Sequence, residues 1–387
     1  MSPSATIDAH EAAGRTWPAV VVGAGPAGAF AALQLARAGV RPLLLDGQAF
    51  PRAKVCGGCL NARTLALLGE AGLEQLPAEL GGVALEYFAL HAGGREVRLP
   101  MPGGIAVSRA ALDTELVRRA ISAGAHFLPE TRATLGTVDA GFRWLMLPRS
   151  RHRLRAQWVV AAHGLGGNFL AGDSAHRATE APDSRIGAGA VIENPTDFYL
   201  PGVLHMAVGR TGYVGITRVE GGGLGVAAAL DRAALDRDGG LDGAIGRLLR
   251  ESRLPLLGHA PRWRGTAPLS RRAPMAAFER VFLVGDAAGY IEPFTGEGIS
   301  WALEGAREVA DLLTRLPRGQ ASAAVESRWR RSHRRLIVRR QRWCRAVSWG
   351  LRRPSLVTST AWLLDRTPAL ATPLLAHLNA APEKRTA

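Results

Sequence analysis

Two cysteines separated by two glycines are the most reactive pair of side chains in this sequence. Cys56 and Cys59 form a C-x-x-C motif, which in one interpretation is a redox dithiol that exchanges electrons with a bound cofactor. In a second interpretation it is half of a zinc site, although no second pair of ligands follows at a suitable spacing. In a third, Cys56 lines a cofactor pocket and Cys59 has no role in the chemistry.

A glycine-rich turn near the N-terminus has the spacing of a dinucleotide-binding motif. The letters GAGPAG place Gly23, Gly25 and Gly28 in a G-x-G-x-x-G pattern between an apolar run and a helical one. The first glycine permits a tight turn, the second lets the backbone approach a pyrophosphate, and the third lets helix and strand pack closely. Asp46 ends the next apolar run, where its carboxylate would accept hydrogen bonds from a ribose and disfavour the 2′-phosphate of NADP.

A second glycine-rich loop, late in the chain, has the residues that a flavin needs. It reads GDAAGYIEPFTGEG and supplies Gly285, Asp286, Pro293, Gly296, Glu297 and Gly298. The Asp286 carboxylate can hold a polyol chain, and the glycines let the main chain lie against a flat ring. A helix begins where the loop ends, and its N-terminus can stabilise negative charge on that ring. The two loops together predict FAD as the cofactor, and Glu297 is the acidic residue best placed to lie near its ring.

These loops need buried parallel strands and following helices to hold them. Continuous apolar runs predict such strands at 17–22, 40–45, 156–161 and 280–285. Helical patterns cover 26–38, 108–123, 241–251 and 298–315, and the alternation over 82–107 predicts a hairpin that turns at Gly93-Gly94. Residues 1–16 resemble a disordered leading segment.

The predicted fold is therefore α/β, with a Rossmann-like FAD-binding domain, an inserted mainly β substrate domain and a C-terminal helical extension. Because the nucleotide-type segments are scattered along the chain, we expect the two domains to be interleaved. The FAD-binding domain takes 17–80, 108–165 and 270–316, the substrate domain takes 81–107 and 166–269, and the helical region takes 317–387.

Composition narrows the classes of function. The chain has 387 residues and a net charge of +15, from 48 Lys+Arg against 33 Asp+Glu. This charge suits an anionic lipid surface or an acidic partner, or it reflects an arginine-rich composition alone. We expect no nucleic-acid partner, because no helix-turn-helix, RNA-recognition or zinc-finger pattern is present. The N-terminus lacks the apolar core of a signal peptide, and no run of about 18 apolar residues occurs, so we expect a cytoplasmic protein.

The last predicted helix, over 321–351, is rich in arginine. Leu336, Trp343, Val347 and Leu351 fall on one face at helical spacing. In one interpretation this helix covers the FAD-binding domain and its arginines are solvated. In the other it lies on an anionic membrane, which would make the protein peripherally membrane-associated.

The two loops and the segment that follows the second strand resemble those of the geranylgeranyl reductase family, flavoproteins with the para-hydroxybenzoate hydroxylase fold. PRAKVCGGCL over 51–60 is similar to the P-R-x-K-x-C-G-G segment of that family, and the resemblance extends over roughly 17–315. It implies a set of FAD contacts: the glycines of the first turn at the pyrophosphate, Asp46 at the adenosine ribose, Asp286 at the ribityl chain, Arg52 and Arg109 as further contacts, and Cys56 in the flavin pocket.

Two segments depart from the family pattern. His163-Gly164 stands where hydroxylases of this fold usually have Asp-Gly, which weakens the argument for direct use of NADPH. Residues 212–217 replace the aromatic Trp-Phe-Pro segment that the reductases usually carry. The substrate pocket is therefore expected to differ from that of the prenyl reductases.

The resemblance implies an FAD-dependent oxidoreductase that reduces a carbon–carbon double bond of an apolar, isoprenoid- or polyketide-like substrate, with Cys56 and Glu297 as the catalytic candidates. The alternative is an FAD-dependent monooxygenase of an aromatic or polyketide-like substrate, and a non-catalytic flavin-binding protein is a third interpretation. The expected partners are the apolar small molecule and an external electron donor, either NAD(P)H or a reduced carrier.

Overall fold

The computed structural model describes residues 2–139, 141–193, 195–258, 262–292, 294, 296–315 and 322–371. Its helices are α1 Ala9–Ala13, α2 Pro26–Arg37, α3 Ala62–Glu70, α4 Leu76–Glu79, α5 Arg109–Ser122, α6 Arg232–Arg237, α7 Leu241–Glu251, α8 Gly298–Thr314, α9 Ser322–His333, α10 Arg339–Leu351 and α11 Pro354–Arg366. Its strands are β1 Thr16–Val22, β2 Leu43–Leu45, β3 Cys59–Leu60, β4 Val83–Ala92, β5 Arg95–Ala106, β6 His126–Leu128, β7 Thr134–Asp139, β8 Phe142–Leu147, β9 His152–Ala161, β10 Thr179–Glu180, β11 Ile186–Ile192, β12 Val203–Gly209, β13 Gly212–Arg218, β14 Leu224–Leu230, β15 Arg264–Pro268, β16 Arg271–Arg272, β17 Ala277–Phe278 and β18 Val281–Leu283.

The first large sheet brings the two glycine-rich loops together. Its strand order is β17-β18-β9-β1-β2-β6, extended from β9 by the antiparallel strands β8 and β7. Strands β18, β9, β1, β2 and β6 are parallel, and most of their central residues are fully buried, which explains the continuous apolar runs in the sequence. Gly23 follows β1 and Gly285 follows β18, so both loops lie at the same edge of the sheet.

The second large sheet has the order β15-β11-β14-β13-β12-β4-β5-β3. Its neighbours are antiparallel except β12 and β4. Strands β4 and β5 form the expected hairpin, in which Gly93 and Gly94 take φ values of 59° and 74°. The edge strand β3 contains Cys59, so the CGGC segment connects the two sheets. The two sheets, the helices packed on them and the helical C-terminal region confirm the predicted fold class.

The prediction of a disordered leading segment was wrong for the described residues before 17. Ile7 and Ala12 are buried in the core beneath the first sheet. The amide of Phe127 donates to Thr6 Oγ1 at 2.7 Å, and the Trp17 indole donates to the Ala12 carbonyl at 2.9 Å. The segment was misjudged because only isolated apolar residues, without a periodic run, attach it to the sheet.

The C-terminal helices cover the FAD-binding core, and most of the apolar face identified in the sequence packs inward. Leu336 and Leu351 pack against apolar clusters of the core, whereas Trp343 is 59% exposed. Helices α9 and α10 are joined through a π-helical turn, Arg334–Val338. A π turn adds a residue to the helical repeat and so rotates the side chains that follow; Cys344 and Ser348 are also buried.

Candidate functional site

A single cavity connects the glycine-rich loops with the second sheet. Its volume is about 1150 Å³, and both sheets and helix α10 contribute to its wall. Ligand pockets usually measure roughly 300–1,000 Å³. The cavity therefore has room for a large cofactor together with part of a substrate.

The first turn approaches its neighbours so closely that only glycine fits. A Cβ on Gly23, whose φ is +100°, would lie 2.3 Å from the Ala162 carbonyl oxygen, and a Cβ on Gly28 would lie 1.7 Å from the Gly23 carbonyl oxygen. Helix α2 begins just after Gly25, and no side chain caps its N-terminus. The amides of this first turn are therefore available to an anion.

Two arginines and two aspartates form a buried network beside this turn. Arg52 contacts Asp46 Oδ2 and Asp113 Oδ2, each at 3.2 Å. Arg109 pairs with both oxygens of Asp113 at 2.8 Å. A Cβ added to Gly25 would lie 3.4 Å from Arg109 Nη2 and 3.7 Å from Arg52 Nη2, so both guanidinium groups lie beside the turn. The network thus fixes two positive charges at an uncapped helix N-terminus.

Asp46 both supports the turn and keeps some capacity for a ligand. Its Oδ2 accepts from the Ala24 amide at 2.8 Å, and its Oδ1 accepts from the Gln48 amide at 3.0 Å. With Arg52 that makes three donors, and a carboxylate has about four acceptor sites. Asp113, which is fully buried, was not found from the sequence. Its signal was the position four residues after Arg109 on a predicted helix.

Asp286 and Lys54 line the cavity between the two loops. Burial raises the pKa of Asp286, although Arg109 and Lys54 act in the opposite direction. Burial, followed by the charge of Arg52, lowers the pKa of Lys54. Burial alone would lower the pKa of Arg109, but the adjacent Asp113 carboxylate raises the pKa of Arg109 overall. Arg109 therefore stays cationic. The residues therefore fit FAD: cations and free amides suit its pyrophosphate, and carboxylates suit its hydroxyl groups.

The CGGC segment crosses the middle of the cavity wall. Both Cys56 and Cys59 are free thiols that line the cavity. The Gly58 amide donates to Cys56 Sγ at 3.4 Å, and Cys59 Sγ donates to the Gly57 carbonyl at 3.5 Å. Burial, together with the nearby Cys56, raises the pKa of Cys59 to about 12. No cluster of three or more metal-ligating side chains occurs among the described residues.

The end of the cavity opposite the first turn is apolar. Its wall includes Phe88, Met101, Leu204, Met206, Tyr213 and Phe294. Tyr213 and Phe294 pack edge to face with centroids 5.1 Å apart, and Phe88 packs against Phe294 at 6.2 Å. Tyr213 belongs to the segment 212–217, so this departure from the family pattern does lie in the pocket. Phe88, Met101, Leu204 and Met206 were not found, because they come from strands that are far apart in the sequence, and Phe294 lies in the second loop.

Glu297, a catalytic candidate, is held by helix α10. Gly296 and Gly298 line the cavity, whereas Glu297 is not among its lining residues. Its Oε1 accepts from Arg340 Nε and Nη2 at 3.1 and 2.7 Å, and its Oε2 accepts from Cys344 Sγ at 3.2 Å. The structure therefore places its carboxylate against α10 and its backbone beside the cavity. Pro293 lies outside the described residues.

Helix α10 also holds Glu292, a further acidic residue of the second loop. Ser348 Oγ donates to Glu292 Oε1 at 2.5 Å, and Arg185 contacts the same oxygen at 3.3 Å. The side-chain amide of Gln341 donates from Nε2 to the Gly289 carbonyl at 3.3 Å. One face of α10 thus clamps the second loop along its length, which a sequence motif cannot reveal.

His163, at the departure from the hydroxylase pattern, also lines the cavity. Burial, followed by the charge of Arg271, lowers its pKa to about 4. It is therefore neutral at pH 7, and its Nδ1 has no hydrogen-bond partner among the described residues.

Comparison with known proteins identifies a matching family and similar chains. The FAD binding domain family matches residues 16–168. Menaquinone reductase of Mycolicibacterium smegmatis is 31% identical over 332 residues, which is 76% of each chain. Digeranylgeranylglycerophospholipid reductase of Methanocaldococcus jannaschii is 26% identical over 335 residues, covering 81% of this chain and 82% of the relative.

Solved structures share the fold at lower identity. The flavin-dependent brominase Bmp2 superimposes with a TM-score of 0.79 and 16% identity over 94% of each chain. The halogenase CndH superimposes with a TM-score of 0.74 and 19% identity over 95% of this chain and 91% of the other. Given the cavity, the two loops and the 31% identical relative, the chain belongs to the geranylgeranyl reductase family of FAD-dependent oxidoreductases.

Proposed function

We propose that this enzyme reduces a carbon–carbon double bond in the isoprenoid chain of an apolar substrate. The observation that carries the proposal is the continuity of the cavity, whose apolar end adjoins the loops that suit FAD. Menaquinone and digeranylgeranylglycerophospholipid, the molecules that appear in the names of the two relatives, both carry polyprenyl chains with such double bonds.

The residues at the polar end bind and orient the cofactor. Bound FAD, once reduced, supplies hydride transfer. The first turn, Arg52 and Arg109 hold its pyrophosphate, Asp46 holds its adenosine ribose, and Asp286 holds its ribityl chain. Glu297 acts as a positioning residue, since its contacts with α10 fix the backbone that faces the ring.

Cys56 supplies the proton. Reduction of a double bond adds a hydride to one carbon and a proton to the other. The Cys56 thiol lies in the cavity wall, where it can give its proton to the second carbon and regain one from water. Arg109 lines the same cavity as Cys56.

The partners of the enzyme follow from this assignment. Two electrons per turnover must come from an external donor, NAD(P)H or a reduced carrier. An isoprenoid lipid resides in a membrane, so we also propose peripheral contact with an anionic membrane. Among the described residues, no helix is both long enough and apolar enough to span a bilayer.

Anaerobic single turnover tests the proposal. The FAD-loaded protein is reduced photochemically and mixed with a digeranylgeranyl ether lipid or a prenylated quinone in detergent. We expect flavin reoxidation and a prenyl chain that has gained two hydrogen atoms by mass spectrometry. Unchanged chains without oxygen, together with a product that gains an oxygen atom when the reduced protein is mixed with substrate in air, would instead establish the monooxygenase alternative.

A further inference from the structure

We propose that helices α10 and α11, with the residues up to 371, form a docking surface for an anionic lipid membrane. This inference deepens the proposed function, on which it rests, by assigning the membrane contact to a particular surface. We call residues 342–371 the docking segment. Its inner side forms part of the protein core, and its outer side carries both apolar and cationic side chains.

The docking segment exposes more large apolar side chains than a water-facing surface requires. Six of them are between 39% and 59% exposed: Trp343, Trp349, Leu356, Trp362, Leu363 and Leu370. Concentration of such residues in one short stretch marks an interaction surface, whereas single exposed apolar residues do not. Tryptophan is enriched where protein meets the interface between lipid and water.

The charge of this region selects an anionic surface. Residues 342–371 contain five arginines and one acidic residue, Asp365. Arg353 lies over the ring of Trp349 at 3.4 Å, and Arg366 lies over the ring of Trp362 at 4.1 Å. Pairs of this kind place a cation beside an aromatic ring, as insertion at the level of lipid headgroups requires.

The position of the docking segment connects it to the cavity. Val347 lines the cavity. Val357 and Leu364 pack against the same apolar cluster as the cavity residues Met206 and Tyr213. The docking segment is therefore the outer layer of the apolar end of the site, where an isoprenoid chain from a membrane would be received.

Two other occupants fit less well. A second copy of the chain would bring a second arginine-rich surface into contact, and like charges would repel. A nucleic acid would bind the arginines through its phosphates, but that leaves the exposed tryptophans and leucines without a role. An anionic bilayer satisfies both features.

Vesicle sedimentation of the FAD-loaded full chain tests the surface. The probes are phosphatidylcholine vesicles with and without phosphatidylglycerol. We expect binding only to the anionic vesicles, decreasing as salt is added. Since each arginine at an anionic surface contributes about a fivefold factor in binding, the variant Arg342→Gln/Arg345→Gln/Arg366→Gln should bind roughly 100-fold more weakly. Trp349→Ala/Trp362→Ala should lose most binding as well.

Matched variants elsewhere on the surface serve as controls. Arg41→Gln/Arg232→Gln/Arg250→Gln makes the same change in net charge, and Leu200→Ala/Leu256→Ala removes two other exposed apolar side chains. Both controls should retain at least half of the binding. Equal losses in test and control variants, or equal binding to neutral vesicles, would overturn the proposal of a docking surface for anionic membranes. A concentration-dependent dimer abolished by the tryptophan variant, or tighter binding to DNA than to lipid, would overturn it as well.

The detergent assay described above separates this inference from the proposed function. An enzyme that reduces prenyl chains in detergent but ignores vesicles would refute the docking surface alone. A protein that sediments with anionic vesicles but reduces no prenyl chain would refute the proposed function and leave the surface standing. Bound FAD and the circular dichroism spectrum confirm that each variant is folded.

Discussion

At the scale of single residues, the two cysteines of the CGGC segment have different surroundings. Cys56 lies near Arg109, whereas burial keeps Cys59 protonated. We predict that Cys56→Ala lowers kcat by about 100-fold, as expected for loss of a proton donor, and that Cys59→Ala changes it little. The flavin spectrum should be unchanged in both. A dithiol mechanism would instead make the two variants equally inactive.

A thiol titration checks the same assignment without substrate. No disulfide joins Cys56, Cys59 or Cys344 among the described residues. We predict that the denatured protein reacts as three thiols both before and after reduction. Two thiols that appear only after reduction would show a disulfide between Cys56 and Cys59.

A second residue-scale prediction concerns the first turn. Gly28→Ala places a methyl group 1.7 Å from the Gly23 carbonyl oxygen, and backbone cannot yield as a flexible side chain can. We expect this variant to be purified without FAD, as measured by the flavin absorbance of the purified protein. Gly172→Ala is the control, because nothing lies within 4 Å of its added methyl group. Normal FAD content in Gly28→Ala would contradict this view of the turn.

At the scale of elements, helix α10 stabilises the second FAD loop. Arg340→Met removes the cation that pairs with the buried Glu297 carboxylate, and breaking such a pair costs about 3 kcal/mol of unfolding free energy. We therefore expect a lower Tm and a faster release of FAD, measured by flavin fluorescence. Arg342→Met, on the exposed side of the same helix, is the control and should change neither. Faster FAD release from both variants would exclude a specific clamp.

Elements with continuous patterns were predictable, and those set by long-range contacts were not. The strands of the first sheet are apolar throughout because both of their faces are buried, so the sequence alone located β1, β9 and β18. Trp343 was grouped with the apolar face of α10 although it is exposed, because the π turn at Arg334–Val338 leaves no mark in a helical periodicity. In the site, the two loop motifs pointed to glycines and to Asp286, which line the cavity. Phe88 reaches the cavity only through the topology, so no local pattern could reveal it. Asp113, in contrast, could have been found from its position four residues after Arg109 on a helix.

At the scale of the whole molecule, buried histidines make stability depend on pH. Burial, reinforced by nearby charges, lowers the pKa of both His205 and His333 from 6.5 to about 4. Between pH 6.5 and about pH 4, these histidines bind protons in the unfolded chain but stay neutral in the folded protein. The free energy of unfolding therefore falls as pH falls. From pH 7 to pH 5 we expect a loss of about 2 kcal/mol for each histidine.

Urea denaturation at the two pH values measures this effect. His333→Gln should lose about 2 kcal/mol less than the parent protein between pH 7 and pH 5. The exposed His10→Gln is the control and should lose as much as the parent. A loss that is the same in all three proteins would assign the pH dependence to other groups.

The order of strands in the first sheet has a consequence for biosynthesis. Strand β18 lies beside β9 in space but follows it by about 120 positions in the chain. Trp329 then closes this edge through its hydrogen bonds to the carbonyl groups of Ala276 and Leu283. A ribosome must therefore make most of the polypeptide before the sheet is complete, and until then its apolar strands stay exposed to aggregation or to chaperones. A fragment limited to residues 16–168 lacks β17 and β18, so it should emerge as an insoluble product rather than as a small flavoprotein.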